Sequence, residues 1–311
     1  KMIKINSFYS QQELYRYYNF VLKKKPSIVK TNGKGTAMIS LLNQLPQKKS
    51  PQIKIGSFYE LLTMNFSDLQ KFCDSLATDK PRYKNLLKQS KEDLRIYKSY
   101  YSEFFHKIDE TIGIRNNMIL IKNLDITVCP YCNRNYINSR HDKLGCEFDH
   151  YYSKDKFPFF ALTLSNLVPS CSTCNRIKQA NDYEFCPFDL EEDIEVKFVV
   201  SPPSKDSKIK ILFGEKSQED NILKLEDAYE IHKKDVAEMF MKEEKYCKEY
   251  RDYLISLLGD KGNIVNEFSE EFFDSMIFGE IANDSFDDYL NHSLSKLKKD
   301  TYDYIVELRE K

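Results

Sequence analysis

The 311-residue sequence is poor in glycine and proline, and its positive and negative charges nearly cancel. Nine Gly and ten Pro are too few for a collagen-like or low-complexity chain, while 41% hydrophobic residues are enough for a packed core. The 47 basic residues oppose 48 acidic ones, which excludes a general electrostatic footprint for nucleic acid. The composition therefore predicts a folded globular protein in which any anion-binding surface is local.

Long hydrophobic runs are also missing. The apolar stretch at residues 157–168 is interrupted by Thr163, Ser165 and Asn166, whereas a membrane span needs about 18 to 20 apolar residues. Residues 1–6 lack the apolar centre of a signal peptide. We therefore expect a cytoplasmic protein without membrane association. In that reducing compartment, regularly spaced cysteines indicate metal binding before disulfides.

Periodic patterns predict the secondary structure on either side of the cysteines. Apolar residues return every three or four positions within residues 8–128, which predicts several helices. Two short β-branched or aromatic runs at residues 194–200 and 209–213 predict a β-hairpin, with two edge strands as the alternative. Helical spacing continues over residues 225–258 and predicts one long helix there.

Four of the eight cysteines form two Cys-x-x-Cys pairs, Cys129 with Cys132 and Cys171 with Cys174. Four thiolates complete a closed tetrahedral zinc site, to which each pair contributes half. The alternative is four unrelated buried thiols, for which the duplicated spacing is a coincidence. The 38 residues between the pairs exceed a minimal zinc ribbon, so we expect structural zinc to clamp the base of an inserted unit.

The inserted segment carries one candidate proton acceptor and two candidate metal ligands. His150 can accept a proton at neutral pH because an ordinary histidine has a pKa of about 6.5. Asp149 and Asn175 offer hard oxygen ligands for a catalytic Mg²⁺ or Mn²⁺. Residues 129–180 contain seven Lys or Arg and four Asp or Glu, a local balance of +3, so the basic charge lies where phosphate would bind.

The order of these residues resembles the HNH, or ββα-metal, nuclease superfamily. The resembling elements are Asp149-His150, then Asn166-Leu167, then Cys-x-x-Cys-Asn-x-x-Lys ending at Lys178, all after an earlier Cys-x-x-Cys. The likeness covers about residues 129–180. The third motif position, which is a histidine in the name HNH, is Asn175 in this sequence, a variant common in the family.

The resemblance implies roles for individual residues. His150 would be the general base, Asp149 and Asn175 the ligands of the catalytic divalent cation, and Asn166 the residue that orients the histidine loop. Arg176 and Lys178 are candidate phosphate contacts, with solvent-facing helix residues as the alternative for each.

The expected fold class is α+β: a mostly helical chain with a central zinc-braced ββα-metal unit and a small β-hairpin. We predict a helical N-terminal region at residues 1–128, a nuclease core at 129–190, and a β-hairpin with helices at 191–311. The predicted function is a metal-dependent HNH endonuclease, with DNA favoured as substrate and RNA as the alternative. The competing hypothesis is a zinc-stabilised nucleic-acid-binding or scaffold module without catalysis.

A narrower resemblance concerns the surroundings of the core. Long helical flanks and the Cys-Pro-Phe-Asp segment at residues 186–189 look similar to bacterial antiphage nucleases of the Septu and retron-associated kind. That likeness implies an antiviral defence role and an ATPase partner. The histidines outside the motif, His106, His141, His232 and His292, are interpreted as satisfied or exposed, with substrate contact as the alternative for His141.

Overall fold

The computed structural model describes residues 4–5, 8–44, 54–78, 80–141, 143–181, 183, 185–189, 196–214, 222–259 and 270–309. The chain divides into two compact units. The first consists of Lys4–Tyr131 and Asn135–Glu192, and the second of Lys1–Ile3, Cys132–Arg134 and Asp193–Lys311. The finer division at residues 128 and 190 stays a prediction.

Helices dominate the first unit, as the sequence predicts for its N-terminal part. They are α1 (Gln11–Lys24), α2 (Lys34–Asn43), α3 (Phe58–Thr63), α4 (Phe66–Thr78), α5 (Lys80–Gln89), α6 (Lys91–Phe104), α7 (Asn116–Asn123) and α8 (Ser172–Lys178). In α1 the buried Leu14, Tyr17 and Val21 recur at helical spacing. The hydroxyl of Ser10 begins this helix by accepting a hydrogen bond from the backbone N–H of Glu13 at 3.2 Å.

The strands of the first unit are short antiparallel pairs. β1 (Ile108–Asp109) pairs with β2 (Ile114–Arg115), and β3 (Glu147–His150) pairs with β4 (Leu167–Ser170). In the second pair Asp149 lies opposite Val168, and His150 lies opposite Leu167. Helix α8 follows β4 after a single residue and packs on β3. The motif residues therefore lie on two strands and a helix, in that order along the chain.

Gly145 allows a close backbone approach just before β3. A Cβ atom at this position would lie 1.9 Å from the carbonyl oxygen of Asn138, well inside van der Waals contact. Any other residue would push the two segments apart, so the chain enters β3 in this way only with glycine.

The second unit contains a β-hairpin and the C-terminal helices. β5 (Val196–Val199) pairs antiparallel with β6 (Lys210–Phe213), which confirms the predicted hairpin, although residues 194–195 of the predicted run lie outside the described residues. The helices are α9 (Leu225–Tyr229), α10 (Lys233–Lys245), α11 (Lys248–Gly259), α12 (Glu270–Phe278) and α13 (Ser295–Arg309). Helix α13 packs on β5, and the backbone N–H of Phe198 donates to Asp300 Oδ2 at 2.7 Å. Across the described ranges, every helix falls short of the length and apolarity that a membrane crossing requires.

The prediction of one long helix over residues 225–258 is wrong, because the chain leaves the α-helical path at residues 230–232 and again at 246–247. Tyr246 adopts a non-helical backbone (φ −108°, ψ 46°), and its carbonyl accepts a hydrogen bond from Arg251 Nε at 2.6 Å. The same guanidinium pairs with Glu243 and Asp274. These ionic contacts, which periodicity does not reveal, stabilise the break.

Candidate active site

The four paired cysteines converge on one buried cluster. The Sγ atoms of Cys129, Cys132, Cys171 and Cys174 all lie within 4.8 Å of one another. A tetrahedral zinc ion with Zn–S bonds of about 2.3 Å holds its sulfurs roughly 3.8 Å apart, so the spacing suits zinc. The backbone N–H of Cys171 donates to Cys129 Sγ, and Asn135 Nδ2 donates to Cys171 Sγ, both at 3.3 Å. Donors directed at sulfur favour the thiolate form that a metal needs.

A separate cleft of about 530 Å³ opens beside β3 and α8. The sequence-predicted Asp149, His150 and Asn175 all line it. The three candidate residues therefore share one cleft. The cleft wall is completed by Tyr101 and Lys154, among other residues.

The ring of His150 is held in one orientation. Its Nε2 lies 3.0 Å from the carbonyl oxygen of Ala161, and its ring packs edge-on against Tyr101 with centroids 4.5 Å apart. A carbonyl can only accept, so Nε2 carries the proton of the neutral ring and Nδ1 keeps a lone pair. Nδ1 has no hydrogen-bond partner within the described part of the chain. Burial lowers the pKa of His150 to about 3, so the imidazole is neutral at physiological pH.

Asn166 makes three hydrogen bonds with the backbone of the loop whose Ala161 carbonyl contacts His150. Its Oδ1 accepts from the backbone N–H of Tyr152 at 2.8 Å, and its Nδ2 donates to the carbonyls of Tyr152 and Phe160 at 3.0 and 3.1 Å. The last contact holds the residue just before Ala161, whose carbonyl accepts from His150. Asn166 is thus connected to the imidazole of His150 indirectly, through the backbone of this loop.

Residues of helices α1 and α3 form hydrogen bonds with the same loop. The hydroxyl of Tyr17 donates to the carbonyl of Leu162 at 2.9 Å, and Thr163 Oγ1 donates to the carbonyl of Leu61 at 2.8 Å. Both contacts are buried, where hydrogen bonds are strong and costly to lose. The N-terminal helices therefore help to set where the Ala161 carbonyl lies.

Asp149 is buried, with 3% of its surface exposed. Its Oδ2 accepts from the Tyr131 hydroxyl at 2.8 Å and pairs with Lys178 Nζ at 2.9 Å. Burial raises the pKa of Asp149, while the charge of Lys178 and both hydrogen bonds oppose that rise. On α8, Asn175 is half-buried, and its Nδ2 donates to Glu147 Oε2. The amide oxygen of Asn175 is thereby left as its acceptor atom.

The HNH endonuclease family model matches residues 129–181. The chain contains an HNH endonuclease domain. The match confirms the sequence resemblance at the level of this domain, which holds both the cysteine cluster and the motif residues. No curated protein and no solved structure matches the chain significantly.

The oxygen donors of the HNH domain fit a small divalent cation. Mg²⁺ keeps several waters and is usually bound by one or two protein oxygens together with substrate phosphate. Asp149 and Asn175 offer two such protein oxygens, because Asp149 Oδ1 and Asn175 Oδ1 take no part in the contacts described above. Both residues would hold the cation within the same cleft as His150.

The interpretation of Lys178 as a surface phosphate contact needs correction. Its side chain is fully buried, and Nζ donates to the carbonyls of His150 and Tyr151 at 3.2 and 3.0 Å in addition to its pair with Asp149. An ammonium enclosed in this way cannot reach solvent-borne phosphate without breaking its pair. Arg176, by contrast, is exposed, and its Nε donates to the carbonyl of Ser172 at 3.2 Å.

We predict that Lys178→Met destabilises the HNH domain by about 3 to 5 kcal/mol, because it leaves the Asp149 carboxylate buried and uncompensated. Thermal denaturation should show a fall in Tm on the order of 10 °C. The double variant Asp149→Asn/Lys178→Met should lose much less than the sum of the two single variants, since it leaves no buried charge. Strictly additive losses would show that the ion pair is not the cause.

Three residues of this site were not singled out by the sequence. Tyr131 lies inside the first Cys-x-x-Cys pair, and that position next to the motif was a usable signal for its contact with Asp149. Tyr101 and His106 also line the cleft, although they precede the motif by more than 20 residues. His106, interpreted from the sequence as satisfied or exposed, lies beyond the end of α6, and its Nδ1 is 2.9 Å from Asn117 Nδ2. Their place in the cleft comes from folding alone.

Proposed function

We propose that the protein is a divalent-cation-dependent endonuclease that hydrolyses phosphodiester bonds of nucleic acid, with DNA as the favoured substrate. The observation that carries this proposal is the orientation of His150, whose Nδ1 lone pair is free in a cleft also lined by Asp149 and Asn175. Four clustered cysteines, which can hold zinc, give the domain its structural support.

In the proposed reaction His150 takes a proton from the attacking water at Nδ1, while Nε2 keeps its bond to the Ala161 carbonyl. A cation held by Asp149 and Asn175 would neutralise phosphate charge and stabilise the departing 3′ oxygen. The bound phosphate adds negative charge beside the imidazole, which favours its protonated form and offsets the low pKa that burial imposes. The carbonyl of Ala161 stabilises the same imidazolium through its hydrogen bond.

The test is a cleavage assay on supercoiled plasmid DNA and on single-stranded and duplex RNA, each with Mg²⁺, with Mn²⁺ and with EDTA. We expect nicking or linearisation of plasmid with either cation and none with EDTA. Cutting that persists in EDTA would contradict the proposal. Binding of DNA or RNA without any cutting, under all these conditions, would favour the zinc-stabilised binding module instead.

The antiviral role and the ATPase partner belong to this proposal only through the sequence resemblance. They are supported by the helical regions around the HNH domain and by the Cys-Pro-Phe-Asp segment at residues 186–189. They stay predictions.

A further inference from the structure

The correction at Lys178 leaves the cleft without the phosphate contact that the sequence suggested there. Four charged side chains line the cleft besides its histidines, and two of them are already paired with a residue of opposite charge. Asp149 is paired with Lys178 at 2.9 Å. Asp155 is paired with Lys98, a residue of α6, at 2.6 Å. Glu147 and Lys154 are the other two.

Lys154 is the cation that this arrangement leaves available. It is half-buried in the cleft wall, and no carboxylate of the described residues lies within ion-pair distance of its Nζ. The neighbouring Asp155, which would be the obvious partner, is taken by Lys98. A partly desolvated ammonium that makes no ion pair attracts an anion more strongly than a fully hydrated surface lysine does.

The ring of Tyr101 contacts both Lys154 and His150, the candidate general base. Lys154 Nζ lies 5.0 Å from the centroid of the Tyr101 ring, and the same ring packs against His150 at 4.5 Å. Tyr101 itself is tied to β3 by a hydrogen bond from its hydroxyl to the carbonyl of Phe148 at 3.2 Å. The ammonium and the imidazole are therefore held on one side of the cleft by a shared, buried side chain.

We propose that Lys154 contacts a backbone phosphate of the substrate nucleic acid in this cleft, an inference that rests on the proposed endonuclease function. Asp149 and Asn175 would bind the divalent cation, and His150 would deprotonate the attacking water. Lys154 would contact the negatively charged phosphate of the strand. Glu147 makes no ion pair with Lys154 among the described residues, and its Oε2 accepts from Asn175 instead. Such a contact holds the strand without reading its bases, so it should act equally on all sequences.

The test measures binding of a mixed-sequence DNA duplex, and of the matching RNA, to the full chain in a His150→Ala background that cannot cut. Lys154→Met should weaken binding about ten-fold, as expected for the loss of one charge-assisted hydrogen bond. It should also reduce the slope of log K against log salt by about 0.9, the contribution of one phosphate contact on duplex DNA. Lys154→Arg should retain most of the affinity and the slope.

The matched control is Lys156→Met, which removes the same charge from an exposed residue outside the cleft lining. Equal losses in the two methionine variants, or an unchanged salt slope in Lys154→Met, would overturn the assignment while leaving the endonuclease proposal intact. Absence of both binding and cutting in the protein with His150 present would reject the proposed function, and this inference with it.

Discussion

His150→Ala is expected to lower the rate of phosphodiester cleavage by about 10²- to 10⁴-fold, the usual contribution of a general base. The variant removes the only group that combines a free lone pair at Nδ1 with a fixed proton at Nε2 among the described residues of the cleft. Steady-state cleavage of plasmid DNA at saturating Mn²⁺ gives the comparison directly. Affinity for uncut DNA should stay near that of the parent protein.

His141→Ala is the matched control because it removes the same side chain from an exposed turn at φ 49°. Its cleavage rate should equal that of the parent. The melting temperature separates a chemical role of His150 from a structural one. If His150→Ala melts as early as a zinc-site variant does, the histidine is structural and its assignment as base is wrong.

Cys171→Ala should prevent the HNH domain from folding and reduce the zinc content from one ion per chain to none. Cys171 is chosen because its N–H donates to Cys129 Sγ and its own Sγ accepts from Asn135 Nδ2 and from the backbone N–H of Cys174. Structural zinc in small domains contributes roughly 10 to 16 kcal/mol of apparent binding free energy, which exceeds the stability of most domains. Metal analysis would measure the loss of zinc. Limited proteolysis would measure the unfolding, as new cleavage sites on the C-terminal side of residue 128.

Cys247→Ala provides the comparison for this loss of a thiol. Cys247 is half-buried and lies outside the cysteine cluster. The control should keep its zinc and its protease resistance. A Cys171→Ala protein that still bound one zinc ion and resisted protease would show that the four thiols do not form a structural metal site.

How much of this site was visible in advance can be judged from single residues. His150, Asp149 and Asn175 were predicted because each belongs to a motif with short internal spacing, and all three line one cleft. Lys178 belongs to the same motif, yet its burial beside Asp149 reverses the interpretation. Spacing along a helix shows which residues lie on the same face of that helix. Whether a lysine on that face contacts water or a carboxylate depends on the other elements of the fold that pack against it.

The second unit gives a matching case. The β-hairpin followed from two local runs of β-branched and aromatic residues, which is a property of the strands themselves. The break at Tyr246 did not follow from periodicity, because Arg251 stabilises it together with Glu243 and Asp274. A contact between residues distant in sequence overrides a helical pattern that would otherwise continue.

The sequence by itself determined the candidate groups of the HNH domain: two cysteine pairs, an adjacent carboxylate and imidazole, and an amide directly after the second cysteine pair. These are short-range features, so their geometry depends mainly on a few backbone dihedrals. Only the tertiary structure decided which charges are cancelled and which ring nitrogen is free. Those properties depend on burial and on partners such as Tyr101 and Lys98, which lie dozens of residues away and meet the site through packing alone.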